Sequence, residues 1–259
     1  MIVVTGATGN IGRPLVAALE SAGEEVRPVS RRGPVPADLT DAATLRPAFE
    51  GASAVFLLLP PGFRGPLAPV LDQIDGARVV LLSSQGVGTG RHPSLFEDEV
   101  RGSGLQWTVL RPGGFASNAL QWAESVRSSR SLAAPFGDVG LPLIDPSDIA
   151  EVAAATLLDA SHAGRTYELT GPVSVSPRDQ AAAIGEALGE PVRFIAQTRA
   201  EALSSFTEFM PPEVAEATLD ILGTPSPAEQ RVSPDVARVL GRPPRPFSEW
   251  VARNAVAFK

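Results

Sequence analysis

Short apolar runs alternate with stretches of helical spacing through the first half of the chain, the pattern of parallel βαβ units. Residues 2–4, Ile-Val-Val, read as a buried strand. Ile11, Leu15, Ala18 and Leu19 then recur on one helical face, and Gly23 ends that helix. Residues 25–29 form the second strand. After a Gly/Pro loop and Asp38, residues 40–50 read as a helix with Leu45 and Phe49 facing inward. Residues 54–59 are a continuous apolar strand stopped by Pro60-Pro61. A short crossover helix is predicted over 67–74, with further strands over 78–83 and 107–110. Strands so uniformly apolar are covered on both faces.

The second half carries fewer strand signals. A strong helix spans 146–158, with Ile149, Val152, Ala153 and Leu157 inside, and a short strand spans 166–169. Ser176-Pro177-Arg178-Asp179 has the form of a capping box with proline at the first helical position. Ser233-Pro234 opens another helix, and residues 247–256 form a last one. The fold class expected is α/β. It is a Rossmann-type doubly wound parallel sheet with a small, mostly helical C-terminal substrate lobe. All of 1–259 is read as one domain, and the lobe comes mainly from residue 173 onward.

Composition narrows the partners. A formal net charge of −7 argues against nucleic acid, which wants a basic face. No apolar run is long enough to cross a bilayer, so no membrane partner is expected. The chain has no cysteine and two isolated histidines, a poor donor set for a metal, and none is expected. A cytoplasmic location fits the missing cysteines. The oligomeric state is not legible. Lys259 is the only lysine, so no interior lysine serves in catalysis.

Gly6, Gly9 and Gly12 stand at G-x-x-G-x-x-G spacing between the first strand and the first helix, within Gly6-Ala7-Thr8-Gly9-Asn10-Ile11-Gly12. Gly6 permits the tight turn, Gly9 clears room for a pyrophosphate, and Gly12 lets the helix pack on the strand. The helix N-terminus then offers N–H groups and a favourable dipole to phosphates. Where an acidic residue would bind the ribose hydroxyls of NAD, the chain has Ser30-Arg31-Arg32. Paired guanidinium groups suit a 2′-phosphate, so NADP(H) is the preferred cofactor, with NAD(H) as the alternative. Asp38-Leu39 falls where the adenine edge would lie; Asp38 is equally suited to cap the helix that follows.

These residues, together with later stretches, resemble the NmrA-like branch of the atypical short-chain dehydrogenase/reductases over nearly the whole length. The later stretches are Ala37-Asp38-Leu39-Thr40-Asp41, Leu82-Ser83-Ser84, 104–113 ending Leu110-Arg111-Pro112-Gly113, Ile144-Asp145-Pro146-Ser147-Asp148, and Tyr167-Glu168-Leu169-Thr170-Gly171-Pro172. That family includes NADPH-dependent quinone and ketone reductases, isoflavone-type reductases and nucleotide-binding regulators, with some relatives in aromatic polyketide pathways. The resemblance implies a nicotinamide lying across strand ends near Leu59, Ser83 and Leu110. Pro60, Ser83 and Pro112-Gly113 would then neighbour its ribose and ring.

The usual catalytic pattern is broken. Typical short-chain reductases use a tyrosine acid and a lysine four residues later. Here Tyr167, the only tyrosine, sits in a late strand, and spacing puts Ser94 and Asp98 where the dyad would fall. Ser84 is the leading candidate to donate a hydrogen bond to a substrate oxygen, with Gln85 behind it and His92 as a proton donor. The competing readings are a strand cap for Ser84 and a solvent-facing loop for His92. Phe63, Phe115, Asn118 and Trp122 are candidates to line a pocket for a small aromatic or quinone-like substrate, and Phe206, Phe209 and Met210 to close it. Each also fits ordinary packing. The leading function is NAD(P)H-dependent reduction of a quinone or polyaromatic ketone. Two others stay open: a cofactor-holding monooxygenase or anthrone oxidase of aromatic polyketide biosynthesis, and a non-catalytic NAD(P)-sensing regulator.

Overall fold

The computed structural model describes residues 1–33 and 35–259; Pro34, in the Gly/Pro loop ahead of Asp38, lies outside them. Among the described residues nine strands form. They are β1 (Ile2–Thr5), β2 (Val26–Ser30), β3 (Val35–Pro36), β4 (Ala54–Leu58), β5 (Arg78–Leu82), β6 (Trp107–Pro112), β7 (Ser131–Ala134), β8 (Arg165–Leu169) and β9 (Arg193–Ala196). Two compact units result.

The first unit comprises Met1–Pro112, Pro146–Leu169 and Pro234–Arg242. It holds a parallel sheet in the order β3-β2-β1-β4-β5-β6-β8. The order reverses between β1 and β4, so the crevice outside their carboxyl ends is where such a fold takes a ligand. Strand period sorts the core. Val3, Val55, Leu57, Val79, Leu81 and Val109 face one layer with Leu45, Phe49, Val70 and Val100 from the helices Leu45–Phe49, Ala68–Leu71 and Leu95–Gly102. The alternate residues Val4, Phe56, Val80 and Leu110, all buried, face the other way. On that side the helices Gly12–Ser21 and Pro146–Leu158 pack against each other and the strands. Asp148, fully buried in the second of them, is gripped by Arg242 at 2.7 Å, with Glu151 joining the same guanidinium. That grip fits the return of residues 234–242 to the first unit.

Most predicted elements form within a residue or two of their expected ends. The helix expected over 40–50 is split into a 3₁₀ turn, Ala42–Thr44, and a short helix, Leu45–Phe49. Pro47 lacks the N–H a continuous helix would need there. The crossover helix shrinks to Ala68–Leu71, and Glu99 accepts hydrogen bonds from the Leu67 and Ala68 N–H groups at 2.7 and 2.8 Å.

The second unit comprises Gly113–Asp145, Thr170–Ser233 and Pro243–Lys259, so it begins well upstream of residue 173. It is mainly helical, with β7 and β9 paired in parallel. Those two strands are too short for periodicity to reveal; their pairing, not their pattern, makes them strands. Val126, Leu132, Ile184, Phe247, Trp250 and Phe258 form its core, with the Phe247 and Trp250 rings stacked 5.8 Å apart. The buried Asp145 carboxylate is held by Arg253. The capping box at Ser176 is complete: Ser176 and Asp179 each bond the other's backbone N–H, opening the helix Pro177–Leu188. Among the described residues no helix is long and apolar enough to cross a membrane.

Phe56 is the largest side chain fully enclosed in the sheet. Phe56→Ala should cost about 3–5 kcal/mol through lost transfer energy and a residual cavity. Urea midpoints of the two proteins would measure it, and a loss below about 1 kcal/mol would show that this core does not constrain the strand.

Candidate functional site

The glycine loop leaves β1 at the reversal point of the sheet. Gly6 has φ +64°, the left-handed region, and a Cβ there would stand 3.2 Å from Leu58 Cδ2 of β4. A Cβ at Gly12 would lie 2.1 Å from the Gly6 carbonyl oxygen and 2.6 Å from Ala7 Cα, so no other residue fits. Gly9 donates its N–H to that same Gly6 carbonyl at 2.9 Å. The helix Gly12–Ser21 carries no side-chain cap at Ile11, which leaves its N-terminal N–H groups for an anionic ligand or water. Thr8 and Asn10 stand at the rim of the loop. The Thr5 hydroxyl donates to Phe56 O at 3.0 Å and accepts from the Leu58 N–H at 2.8 Å, binding the carboxyl ends of β1 and β4 together under the loop.

Arg31 and Arg32 follow β2 directly and are exposed. Asp38 closes a turn rather than capping the helical segment: its Oδ1 accepts the Thr40 N–H at 2.9 Å and the Thr40 hydroxyl at 2.8 Å, while Asp41 caps Ala42–Thr44 by accepting the Ala43 N–H at 3.1 Å. The bonds from Thr40, more than the charge of Arg31, hold the Asp38 carboxyl below the usual range. Leu39 is packed against the core, as is Leu59 after β4. Pro60 accepts the Phe63 N–H at 3.0 Å in the turn that follows.

The carboxyl edge of β5 gathers the catalytic candidates. Ser84 caps the short helix Gln85–Gly88, its Oγ accepting the Gly86 N–H at 3.1 Å, so the cap reading of Ser84 is correct as far as it goes. Accepting that bond leaves the hydroxyl proton to donate. Gln85 is buried beside it. The His92 N–H donates to Gly86 O at 2.9 Å, and its ring lies so close over Gly86 that a Cβ there would meet Nδ1 at 2.5 Å. Ser84, Gln85 and His92 thus share one turn. Ser94 and Asp98 are hydrogen-bonded at the start of the helix Leu95–Gly102.

Beneath this turn lies an ion cluster that sequence reasoning missed. Glu97, 1% exposed, accepts two bonds from Arg111 of β6 at 2.9 and 2.7 Å and one from Arg101 at 2.7 Å. It also accepts the Ser83 hydroxyl at 2.6 Å. Burial alone would raise the Glu97 carboxyl, but the bonds from Arg111 and Ser83 and the two guanidinium charges outweigh it and hold the pKa below its ordinary value. The signal available was Arg111 itself, a cation inside an apolar strand that has to find a buried acid. Pro112 ends β6, and Gly113 is the first residue of the second unit.

A cavity of about 750 Å³ lies wholly within the second unit. Phe115, Asn118 and Trp122 line it, and so do Phe206, Phe209 and Met210. Trp122 is fixed by an Nε1–H bond to Ala133 O at 3.0 Å. Phe63 is not among the lining residues: its ring meets Phe96 edge-on at 5.5 Å against the core of the first unit, a packing role.

A family model described as NAD(P)H-binding matches residues 6–160, more than half of the chain. The chain belongs to the NAD(P)H-binding family. It is 36% identical to the (4-alkanoyl-5-oxo-2,5-dihydrofuran-3-yl)methyl phosphate reductase of Streptomyces griseus, covering 100% of this chain and 99% of the relative. It is 31% identical to an NAD(P)H azoreductase of Xenophilus azovorans, with the same coverage. Two solved structures share its fold. They are an NADPH-dependent quinone oxidoreductase of Escherichia coli (TM-score 0.83, 22% identity) and a Citrobacter triphenylmethane reductase (TM-score 0.81, 19% identity). Each alignment covers 98% of this chain and 99% of the other. This member of the NAD(P)H-binding family is an NAD(P)-dependent oxidoreductase with the fold of the NmrA-like atypical short-chain reductases.

Within that family the tyrosine here is out of place. The Tyr167 hydroxyl pairs with His162 Nδ1 at 2.7 Å, and burial pushes its pKa up, opposite to what a proton donor of this class needs. His162 is therefore half-buried and engaged.

Gly12→Ala should weaken nicotinamide-nucleotide binding at least about tenfold, while Gly102→Ala, where a Cβ meets nothing within 4 Å, should leave it unchanged. Calorimetric titration of both variants checks this, and equal binding by the two would refute the role given to the loop. Glu97→Gln should cost about 3 kcal/mol at neutral pH by leaving two guanidinium groups short of a buried partner. Because the folded carboxyl titrates below its ordinary 4.5, its stabilisation is full above that value and is lost as pH falls through the folded pKa. The gap between wild type and variant should therefore close in acid. Urea midpoints from pH 7 to pH 3 would test it, and a constant gap would contradict the assignment.

Proposed function

We propose that the protein is an NADPH-dependent reductase of a small, electron-poor aromatic substrate, a quinone or a conjugated ketone. The observation that carries the cofactor reading is the Gly6–Gly12 contact opening an uncapped helix at the reversal point of the sheet. Only a loop stripped of side chains lets a pyrophosphate reach those N–H groups. Arg31 and Arg32, with no carboxylate at the end of β2, favour the 2′-phosphate of NADPH over the bare ribose of NADH.

Bound there, the reduced nicotinamide supplies a hydride. The chain's own residues position and shield. Within the second unit by itself, a cavity with aromatic walls has the lining that a flat aromatic ligand wants. Ser84 keeps a hydroxyl proton to donate to a substrate oxygen, and His92, against the same turn, can pass a proton near neutral pH. A quinone accepts hydride without the strong acid that Tyr167 and an absent lysine do not provide. The names of relatives, an azoreductase and a quinone oxidoreductase, are in keeping with such acceptors. A cytoplasmic site of action goes with this reading.

The decisive assay is NADPH oxidation against a panel of quinones and polycyclic ketones, with deuterium at the nicotinamide 4-position followed into product. Label transfer with many turnovers supports the proposal. Oxygen-dependent oxidation of an anthrone without label transfer would replace it with the oxidase reading, and tight binding with no turnover would favour a regulator. In the same assay Arg31→Ala and Arg32→Ala should each raise KM for NADPH about tenfold to a hundredfold, the worth of one charge-assisted bond, and leave NADH within about twofold. Equal losses for both nucleotides would refute the 2′-phosphate reading.

A further inference from the structure

The lining of the cavity is unusual in charge. It presents Asn118, Gln121, Gln180 and Gln197, and its only ionisable member is the carboxylate of Glu208. No arginine, lysine or histidine lines it. Two arginines on helices that contribute lining residues are committed elsewhere. Arg178 is paired with Asp138 at 2.8 Å and lies over the Phe194 ring at 4.6 Å, and Arg199 is paired with Glu216 and Asp220.

Two helix N-termini, another source of positive field, are also spent. The helices Pro177–Leu188 and Arg199–Thr207 both contribute lining residues, and each opens with a complete capping box. Asp179 and Glu201 thereby place a carboxylate of the chain itself at each helix start. An incoming phosphate or sulfonate would find no cation in the lining and one like charge.

What the cavity offers is amide. Gln180 is only 7% exposed, yet among the described residues its carboxamide has no hydrogen-bond partner, and it lines the cavity. The amide is not sealed in protein: among the described residues the buried side-chain atom left without a partner is Arg78 Nε, so the Gln180 amide opens to the cavity, where a ligand can complete its hydrogen bonds. Taking the cavity as the substrate site of the reductase proposed above, we infer that it is a subsite for uncharged oxygenated aromatics. Gln180 donates to a carbonyl or hydroxyl oxygen on the ligand edge, and the surrounding charge excludes phosphorylated and sulfonated ligands. One relative is named for a phosphate ester; this cavity is built for the uncharged counterpart of such a group.

The probes are 2-(hydroxymethyl)anthraquinone and its phosphate monoester, which share one ring system, titrated calorimetrically against the whole protein with NADPH absent. The uncharged quinone should bind at least about tenfold tighter than the ester. Gln180→Leu should lower its affinity about tenfold while keeping NADPH affinity and leaving Tm unchanged, because the amide it removes opens to the cavity and bonds nothing in the protein. A purely structural Gln180 would instead lose Tm. Gln121→Arg, at the exposed rim, should bring the ester to within about threefold of the uncharged probe. Equal or tighter binding of the ester to wild type, or wild-type affinity in Gln180→Leu, would overturn the inference. The two proposals fail separately. The binding pattern without NADPH oxidation would leave the subsite standing and remove the reductase, whereas turnover of the ester as fast as the quinone would do the reverse.

Discussion

The approach of the first helix to its own strand sets everything downstream. With 2.1 Å between a hypothetical Cβ of Gly12 and the Gly6 carbonyl, the helix starts hard against the sheet, and its N–H groups arrive at the carboxyl ends of β1 and β4. Thr5 locks those two strand ends from below. If the helix stood an atom's width further out, the groups would still exist but would no longer converge. The fitness of this loop for an anionic ligand is a property of backbone, gained through side chains that are not there.

The opposite device operates at β5 and β6. There the edge is fixed by a dense side-chain cluster, one carboxylate serving Ser83, Arg101 and Arg111. Replacing such a cluster by apolar residues is often neutral for stability, so its value lies in specifying geometry. It holds Ser83, and with it the turn of Ser84, in one orientation. The chain has no tyrosine–lysine dyad at this edge, and the cluster supplies rigidity there instead.

The division between what could and could not be read from sequence follows the range of the interactions. The glycine loop, the helix Pro146–Leu158 and the box at Ser176 were legible because each is encoded within a dozen residues. Phe115, Asn118, Trp122, Phe206, Phe209 and Met210 were named singly, and the structure gathers them in one cavity. Phe63 was misplaced because an exposed aromatic after a strand reads alike whether it meets a ligand or, as here, Phe96. Glu97 was invisible because its partners come from three separate elements, and Gln180 because nothing local marks an amide that the fold leaves unpaired. The short strands β7 and β9 escaped for the same reason, since a four-residue strand exists only through its neighbour.

The outermost strand on one side of the sheet, β3, is two residues long, and one of them is Pro36. Proline brings no N–H to a ladder, and two residues give a second chain almost nothing to align with. A parallel sheet of this kind is slow to assemble and exposes half-built edges while it does so. Truncating β3 to a stub closes that flank to templated growth. The same short segment leads directly into the turn that Asp38 closes on Thr40, so the strand that blunts the flank is itself anchored by the chain just after it.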